Sequence, residues 1–352
     1  MRDLEIEDAA PGKLISYGRE SYYRPEPLPP ARDLALDDEF YDLLAEATFW
    51  LGKLSGISLE THRLDSELDP TTSQAETKDT QEVLNYEQAI KEGIETLDEG
   101  GEISVELLHD LHETLLTDVP ADRIETDTIG GYKTVPNYLG DFLPPVPGEV
   151  EGLMDALITY YRTGGTYHPL VDIALFHYQF ETIHPYGDGN GRLGRLLITL
   201  QLYDAELLAR PNLYLSEYFN RNKATYVDRM EGVRAHGNWG DWVSFFINGV
   251  AQQAEESVDR TVALDTLRRR YEEEYGGVQY AKNRLACSLF EQPYMTTKTV
   301  AEMLDIERST AYRAIGDLEA DGVLEEVTGK QRNKEYRAKE IFDILERPPQ
   351  TY

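Results

Sequence analysis

HPYGDGNGRLGR, residues 184–195, stands directly ahead of the apolar run Leu196-Leu197-Ile198-Thr199-Leu200. Gly187, Gly189 and Gly191 permit positive φ, so the backbone here can curl its N–H groups inward into an anion-binding nest. The helix expected to follow would present its positive end to the same spot. Arg192 and Arg195 are three residues apart, on one face of that helix's first turn, where both guanidinium groups can fork onto phosphate oxygens. Asp188, between two glycines, can reach a hard cation such as Mg²⁺ bridging phosphates, an ion that usually takes only one or two protein carboxylates. His184 closes an apolar helical stretch and is held by Pro185; an imidazole titrates near neutrality and can accept the proton of an incoming hydroxyl. Asn190 completes the polar set. Base, metal carboxylate and nest together describe nucleophilic attack on a phosphoanhydride.

Other chemistries fit this stretch less well. Gly189 to Gly194 reads G-x-G-x-x-G, but a dinucleotide fingerprint must follow a strand in an alternating β/α chain, and the neighbours here are helical. A metal hydrolase could draw on His168, His177, His184 and Asp188, yet those spacings fit no standard ligand pair and leave the glycines and arginines without a task. No G-x-x-x-x-G-K-[ST] sequence occurs. A bare glycine turn with surface arginines would require neither the histidine nor the aspartate.

Working outward, apolar residues recur at helical spacing from Leu36 to Leu54, in EVLNYEQAIKEGIETL, SVELLHDLHETLL, VEGLMDALITYYRT and LVDIALFHYQFETI, and again in LLITLQLYDAELL and the long stretch from WVSFFINGV to RRRYEEEY. The prolines of RPEPLPPARD (24–33) predict an extended strap, and residues 63–81 a polar interval. Residues 127–147, DTIGGYKTVPNYLGDFLPPVP, carry glycine and proline punctuation that predicts a hairpin or irregular loop.

The opening stretch resembles the signature of the Fic family, H-P-F-x-[DE]-G-N-G-R-x-x-R, with Tyr186 in place of the phenylalanine. The likeness extends to YRPEPLPP, to ALFHYQFETI ahead of the motif, to the sequence after it as far as LYLSEYF, and to WVSFFINGV. What the resemblance implies is a mainly α fold: a Fic helical core with a small β-hairpin flap, plus a C-terminal winged helix-turn-helix domain. The corresponding division is 1–100 as an N-terminal helical and regulatory region, 101–260 as the catalytic core, 261–283 as a helical connector and 284–352 as the winged helix-turn-helix. Family members transfer AMP from ATP to a Ser, Thr or Tyr hydroxyl of a target protein and release pyrophosphate. Carried over residue by residue, His184 is the base, Asp188 holds Mg²⁺, Gly187, Gly189, Asn190, Gly191 and Arg192 bind the phosphate chain, and Arg195 reaches the γ phosphate. Lys133, Thr134, Asn137, Tyr138, Leu139 and Gly140 correspond to the target-binding flap, with lysine standing where the family pattern has arginine; a lysine cannot fork onto two acceptors as arginine does. Thr72 and Glu76 fit the family's inhibitory helix, with Thr77 where the pattern has Gly or Asn, which implies autoinhibition by a Glu76–Arg195 pair; the abundant tyrosines make self-modification an expected first readout, and a homodimer is a further expectation. The family also includes the reverse activity, removal of AMP at the same site. Tyr218, Asn222 and Tyr226 lie on a following helix that suits an adenine pocket.

From residue 284 the tail reads as a separate unit of three short helices and a two-stranded wing, with Thr296 or Thr297 as a cap and Ile306-Glu307-Arg308 as a tight turn. Arg308, Arg313, Lys330, Arg332, Lys334 and Arg337 are its candidate DNA phosphate contacts, while Asp317, Glu319 and Asp321 oppose them. A rival class follows: a transcriptional regulator whose nucleotide site is a sensor, or a winged helix that docks a protein. Over the whole chain 65 acidic residues face 34 basic ones, a formal charge of -31. That field repels nucleic acid except at a local basic patch, and its size favours a protein working in concentrated salt over an ordinary acidic one. Cys287 is the sole cysteine, so no internal disulfide forms. With no basic-then-apolar start and no membrane-length apolar run, the expected setting is cytoplasmic, without a membrane partner.

Overall fold

The computed structural model describes residues 6–60, 80–120, 128–330 and 332–347. Among them, those up to Ser55 and from 80 to Ala254 form one compact unit, and 56–60 with the residues from Glu255 onward form the other.

The first unit begins with a hairpin the sequence reading did not anticipate. β1 (Gly12–Tyr17) pairs antiparallel with β2 (Glu20–Pro25), from Gly12 opposite Pro25 to Tyr17 opposite Glu20. β2 takes up the start of the proline-rich segment, so the extended strap begins as a strand. Tyr22 and Tyr23 bury their rings, and the Gln179 side chain donates to the Glu26 carbonyl at 2.9 Å. The helices follow: α1 (Asp38–Glu60), α2 (Thr80–Asp98), α3 (Val105–Leu116), α4 (Pro147–Arg162), α5 (Pro169–Ile183), α6 (Asn190–Asp204), α7 (Leu215–Arg221), α8 (Lys223–His236) and α9 (Trp239–Tyr275), the last contributing to both units. The stretch expected to be one helix around Tyr218–Tyr226 is two, broken at Asn222.

α5 is the central element. Its sequence, PLVDIALFHYQFETI, is apolar on nearly every face, as a helix surrounded by others must be. Pro169 occupies the first turn, where a missing N–H costs nothing, and the His168 ring accepts the Leu170 N–H at 3.3 Å as a cap. On one side Phe176, Phe180 and Ile183 meet Leu108, Leu111, Met154, Leu193 and Leu197 from α3, α4 and α6. On another, Tyr178 stacks edge-on to Trp239, and Trp242 donates its indole N–H to the Ala174 carbonyl at 2.9 Å. The helix ends when His184 turns left-handed, at φ 49°, and Pro185 follows, since proline cannot continue a helix.

In the second unit, α10 (Ala281–Ser288), β3 (Tyr294–Thr296), α11 (Thr297–Leu304), α12 (Arg308–Ala320), β4 (Leu324–Glu326), β5 (Glu335–Ala338) and α13 (Lys339–Leu345) make a winged helix. Its sheet has the order β3-β5-β4, all antiparallel, one strand more than the expected wing. Thr296 caps α11 and forms a reciprocal capping box with Thr299. The charged end of α9 is more than a linker, because Leu267, Tyr271 and Tyr275 are buried in this unit's core.

Asn85 illustrates how the first unit is tied. A helix leaves its last carbonyls without intrahelical donors; the buried Asn85 amide on α2 donates to Leu115 O at 3.3 Å and to Thr117 O at 2.6 Å, at the end of α3. Asn85→Ala removes the donor and leaves buried carbonyls unmet, a cost of about 1–3 kcal/mol. Thermal unfolding of that variant should show a clearly lowered Tm.

Candidate active site

α5 and α6 are joined by residues 184–189, and this joint builds the site. The reversal is closed by one side chain. Asn190, 1% exposed, accepts the Tyr186 N–H at 2.9 Å and donates to the Tyr186 carbonyl at 2.8 Å. Gly189 takes φ 74° as the N-cap of α6, a conformation that side chains resist. Asp188 Oδ1 accepts the Gly189 N–H at 2.5 Å. The first-turn N–H groups of α6, which have no intrahelical carbonyl to reach, are thereby presented with the helix's positive end.

The joint floors a cleft of about 900 Å³. His184, Gly187, Asp188, Gly189, Asn190, Gly191 and Arg192 line it, facing Lys133, Thr134, Asn137, Tyr138 and Leu139 of the segment between α3 and α4. Most of the residues singled out in the sequence therefore meet here. Two do not line the cleft: Gly140, and Arg195, which lies behind Gly191 in the field of Glu181, His177 and Tyr86. Tyr226 is not poised in it either. Its hydroxyl sits 3.1 Å from His177 Nε2, whose other nitrogen is 3.3 Å from the Gly194 carbonyl, so His177 is a core histidine. Tyr218 packs against Phe245 and takes a hydrogen bond from Asn248 at 3.0 Å. Thr72 and Glu76 lie outside the described residues.

The facing segment is a reduced hairpin. It has a single antiparallel bridge, Leu139 with Phe142, around Gly140 at φ 62°. Lys133 anchors it. The Lys133 N–H donates to Pro185 O at 2.9 Å, and its ammonium donates to Asn137 Oδ1 at 2.8 Å and Ile183 O at 3.3 Å. The lysine thus serves two acceptors after all, with separate protons of one ammonium. Asn137 in turn donates to Tyr186 O at 3.0 Å. Outside, Tyr138 reaches Glu20 at 3.1 Å, leaving Val135 and Tyr138 exposed along the cleft's rim.

Two histidines of α3 that sequence reading passed over support the joint from below. His112 Nδ1 accepts the Gly130 N–H at 3.0 Å, which fixes the Nε2–H tautomer, and Nε2 donates to Asp188 O at 3.0 Å. Its ring stacks on Tyr186 with centroids 4.0 Å apart, and burial lowers its pKa to about 4. Tyr186 is fully buried, and its hydroxyl meets His109 Nδ1 at 3.1 Å, so the extra oxygen that phenylalanine would lack has a partner. Nothing in the α3 pattern distinguishes these histidines from ordinary helix-surface ones.

The electrostatics favour a neutral imidazole. Burial, and then the nearby Lys133 ammonium, lower the His184 pKa to about 3. Burial raises Glu181, one turn earlier on α5, to about 7 against the pull of Arg195. Lys133 is itself lowered to about 7 by burial. Arg192 comes within 3.2 Å of Glu82 on α2 without hydrogen-bond geometry at that nitrogen. As a metal donor set the cleft offers the Asp188 carboxylate, and among the described residues no group of three His, Cys, Asp or Glu could hold an ion. A single carboxylate suits Mg²⁺ carried mainly by substrate phosphates.

Residues 102–202, which contain this cleft floor and its supports, match the family model described as Fic/DOC family. This part of the chain is a Fic/DOC domain. The tail, residues 287–341, matches the model described as sugar-specific transcriptional regulator TrmB, in keeping with its winged helix. The chain is 29% identical over 189 residues to the protein adenylyltransferase Fic of Nematostella vectensis, covering 53% of this chain and 40% of that protein. It is 33% identical over 126 residues to the Drosophila melanogaster protein of the same name, covering 35% and 25%. It therefore spans less than half the length of these relatives. A Fic family protein from Desulfovibrio desulfuricans G20, 20% identical, superposes with a TM-score of 0.52 over 88% of this chain and 98% of that one, which shows a shared fold.

Lys133 gives the Fic domain a pH signature. Its folded pKa of about 7 is below the unfolded value of about 10.4, so between them the unfolded chain binds more protons and this group's share of stability rises with pH. Lys133→Met removes the dependence. Between pH 7 and pH 10 the wild-type Tm should climb relative to that of the variant.

Proposed function

We propose that this protein is an adenylyltransferase that moves AMP from ATP to a Ser, Thr or Tyr hydroxyl of a protein. The observation that carries the reading is the convergence, in one cleft, of a neutral buried imidazole, a carboxylate and the positive end of a helix entered through a glycine turn. The triphosphate lies over the α6 N-terminus, where Gly189, Asn190, Gly191 and Arg192 offer donors, and the exposed edge at Val135 and Tyr138 receives the target segment as an added strand. The target hydroxyl gives its proton to His184 as its oxygen attacks the α phosphorus. A new P–O bond forms, the bond from that phosphorus to the oxygen bridging to the β phosphorus breaks, and pyrophosphate leaves with the electron pair. Asp188 would hold Mg²⁺ together with the phosphates, and the ion would supply neutralisation of the leaving group's charge. Depressing the pKa of His184 keeps it unprotonated before attack, the state a general base needs.

A nucleotide sensor coupled to a winged helix would use the same nest but no base. In the winged helix, Arg308, Arg313 and Arg332 are exposed, whereas Lys330, Lys334 and Arg337 lie within 4 Å of Glu335, Glu326 and Glu325 respectively. DNA contact would then fall to the helix arginines first. Incubation with α-labelled ATP and Mg²⁺ decides between the readings: His184→Ala should lose self-labelling by about 10²- to 10⁴-fold, and equal labelling of variant and wild type would sink the transfer proposal.

Regulation of this site passes, in our reading, through Glu82. Its carboxylate sits on the guanidinium that a phosphate must claim. Because both side chains are partly exposed, such a pair is worth about 0.2–1 kcal/mol. Glu82→Gln should therefore tighten ATP binding by up to about fivefold, as read by calorimetric titration.

A further inference from the structure

Glu181 has no task in the transfer chemistry above, yet it is the most unusually placed carboxylate beside the base. α5 carries His177 and Glu181 one turn apart on one face, and His184 follows as its C-cap. The Glu181 side chain is 12% exposed and that of His184 13%. Glu181 Oε2 lies 3.8 Å from His184 Nδ1, a nitrogen that is buried and has no hydrogen-bond partner. The opposite helix makes room for this carboxylate: a Cβ at Gly194 of α6 would lie 2.5 Å from Glu181 Oε1 and 3.2 Å from the Phe180 ring. Leaving an imidazole N–H buried without an acceptor is unfavourable, and a movement of about 1 Å brings Oε2 to hydrogen-bond distance.

We infer that Glu181 is a positioning residue for His184: its carboxylate accepts the Nδ1 proton and so leaves the Nε2 lone pair as the basic nitrogen at the cleft. The same contact offsets the charge that appears on the ring when the target hydroxyl gives up its proton. Groups from four elements bear on the pair. Arg195 of α6 favours the ionised carboxylate, and Tyr226 of α8 stands beside it. Lys133 of the flap disfavours the charged imidazole and Asp188 of the joint favours it. The ionised Glu181 is the stronger acceptor for Nδ1, being charge-assisted, and burial raises its pKa to about 7. Transfer should accordingly be lost as pH falls through that range. A rival acceptor for Nδ1 is the backbone carbonyl of Glu181, which also lies near the ring.

The inference rests on the transfer reading for what the base does, but the tautomer of His184 can be measured without turnover. The full chain carries 7 histidines, few enough for ¹⁵N-histidine labelling with His184 assigned by the resonance missing from His184→Ala. Wild type should show His184 protonated at Nδ1, and Glu181→Met a mixture of both tautomers. In self-labelling assays Glu181→Met should lower kcat on the order of 10²-fold with the KM for ATP unchanged. Glu181→Gln, which keeps the shape should the methionine variant fail to fold, should remove the acid limb near pH 7. An unchanged Nδ1-protonated population in Glu181→Met, or an unmoved acid limb in Glu181→Gln, overturns the inference and gives the role to the carbonyl. Were the wild type to label nothing, the transfer reading would fail while the ¹⁵N spectra still decided the role of Glu181.

Discussion

The reciprocal bonds between the Asn190 amide and the Tyr186 backbone are the constraint on which the site depends. α5 and α6 are both buried, so the chain between them must reverse within a few residues while leaving polar backbone available for a ligand. A side-chain amide is suited to this because it accepts and donates in one plane, replacing a strand partner at a single residue. Once Asn190 has closed the turn, His184 is fixed at its entry and Gly189 at its exit, and the intervening backbone has little freedom left. The second lone pair of the Tyr186 carbonyl goes to Asn137. The same atom thus fastens the cleft's floor to its rim.

Two departures from the family pattern acquire a physical reading in that setting. Tyr186 adds a hydroxyl inside a packed aromatic group, and an unmet buried hydroxyl would be costly; His109 supplies the partner, and Tyr132 closes the cluster with its ring 4.6 Å from that of His109. Lys133 replaces a planar fork with a point charge. Its protons separate onto a flap amide and a carbonyl at the end of α5, so the anchoring survives with different geometry. The exchange has an electrostatic consequence. A compact, desolvated ammonium near His184 opposes protonation of the ring, where a delocalised guanidinium would spread its charge.

Much of this was legible in the sequence because the relevant signals are local. Apolar periodicity located α1 to α6, and Pro185, Gly189 and the arginines marked the joint, since helix ends and turns are written in adjacent residues. The cap at Thr296 and the turn before Arg308 were readable for the same reason. What escaped depends on side chains distant in the chain. The β1–β2 hairpin shows neither a strong alternation nor an Asn-Gly turn, and it is held partly through Tyr23 N–H to Leu143 O across the chain. His112 becomes a support for Asp188 only because α3 runs beneath the joint. Arg195 shares a helical turn with Arg192, yet packing sends one to the cleft and the other behind it, a distinction that three-residue spacing does not encode.

The chain's formal charge of -31 sets a problem for any polyanionic ligand, and its solution is short range. Screening at physiological ionic strength acts over about 8 Å, so the bulk of the acidic surface is felt weakly inside the cleft while its own lining is felt in full. Among the described residues that lining has Asp188 as its only carboxylate, set against Lys133, Arg192 and the helix end. Added salt therefore weakens the distant repulsion more than the local attraction, because buried partners are screened less than exposed ones. An acidic coat and an anion site are compatible when the site's charge is carried by backbone dipoles and half-buried cations, and the compatibility improves as ionic strength rises.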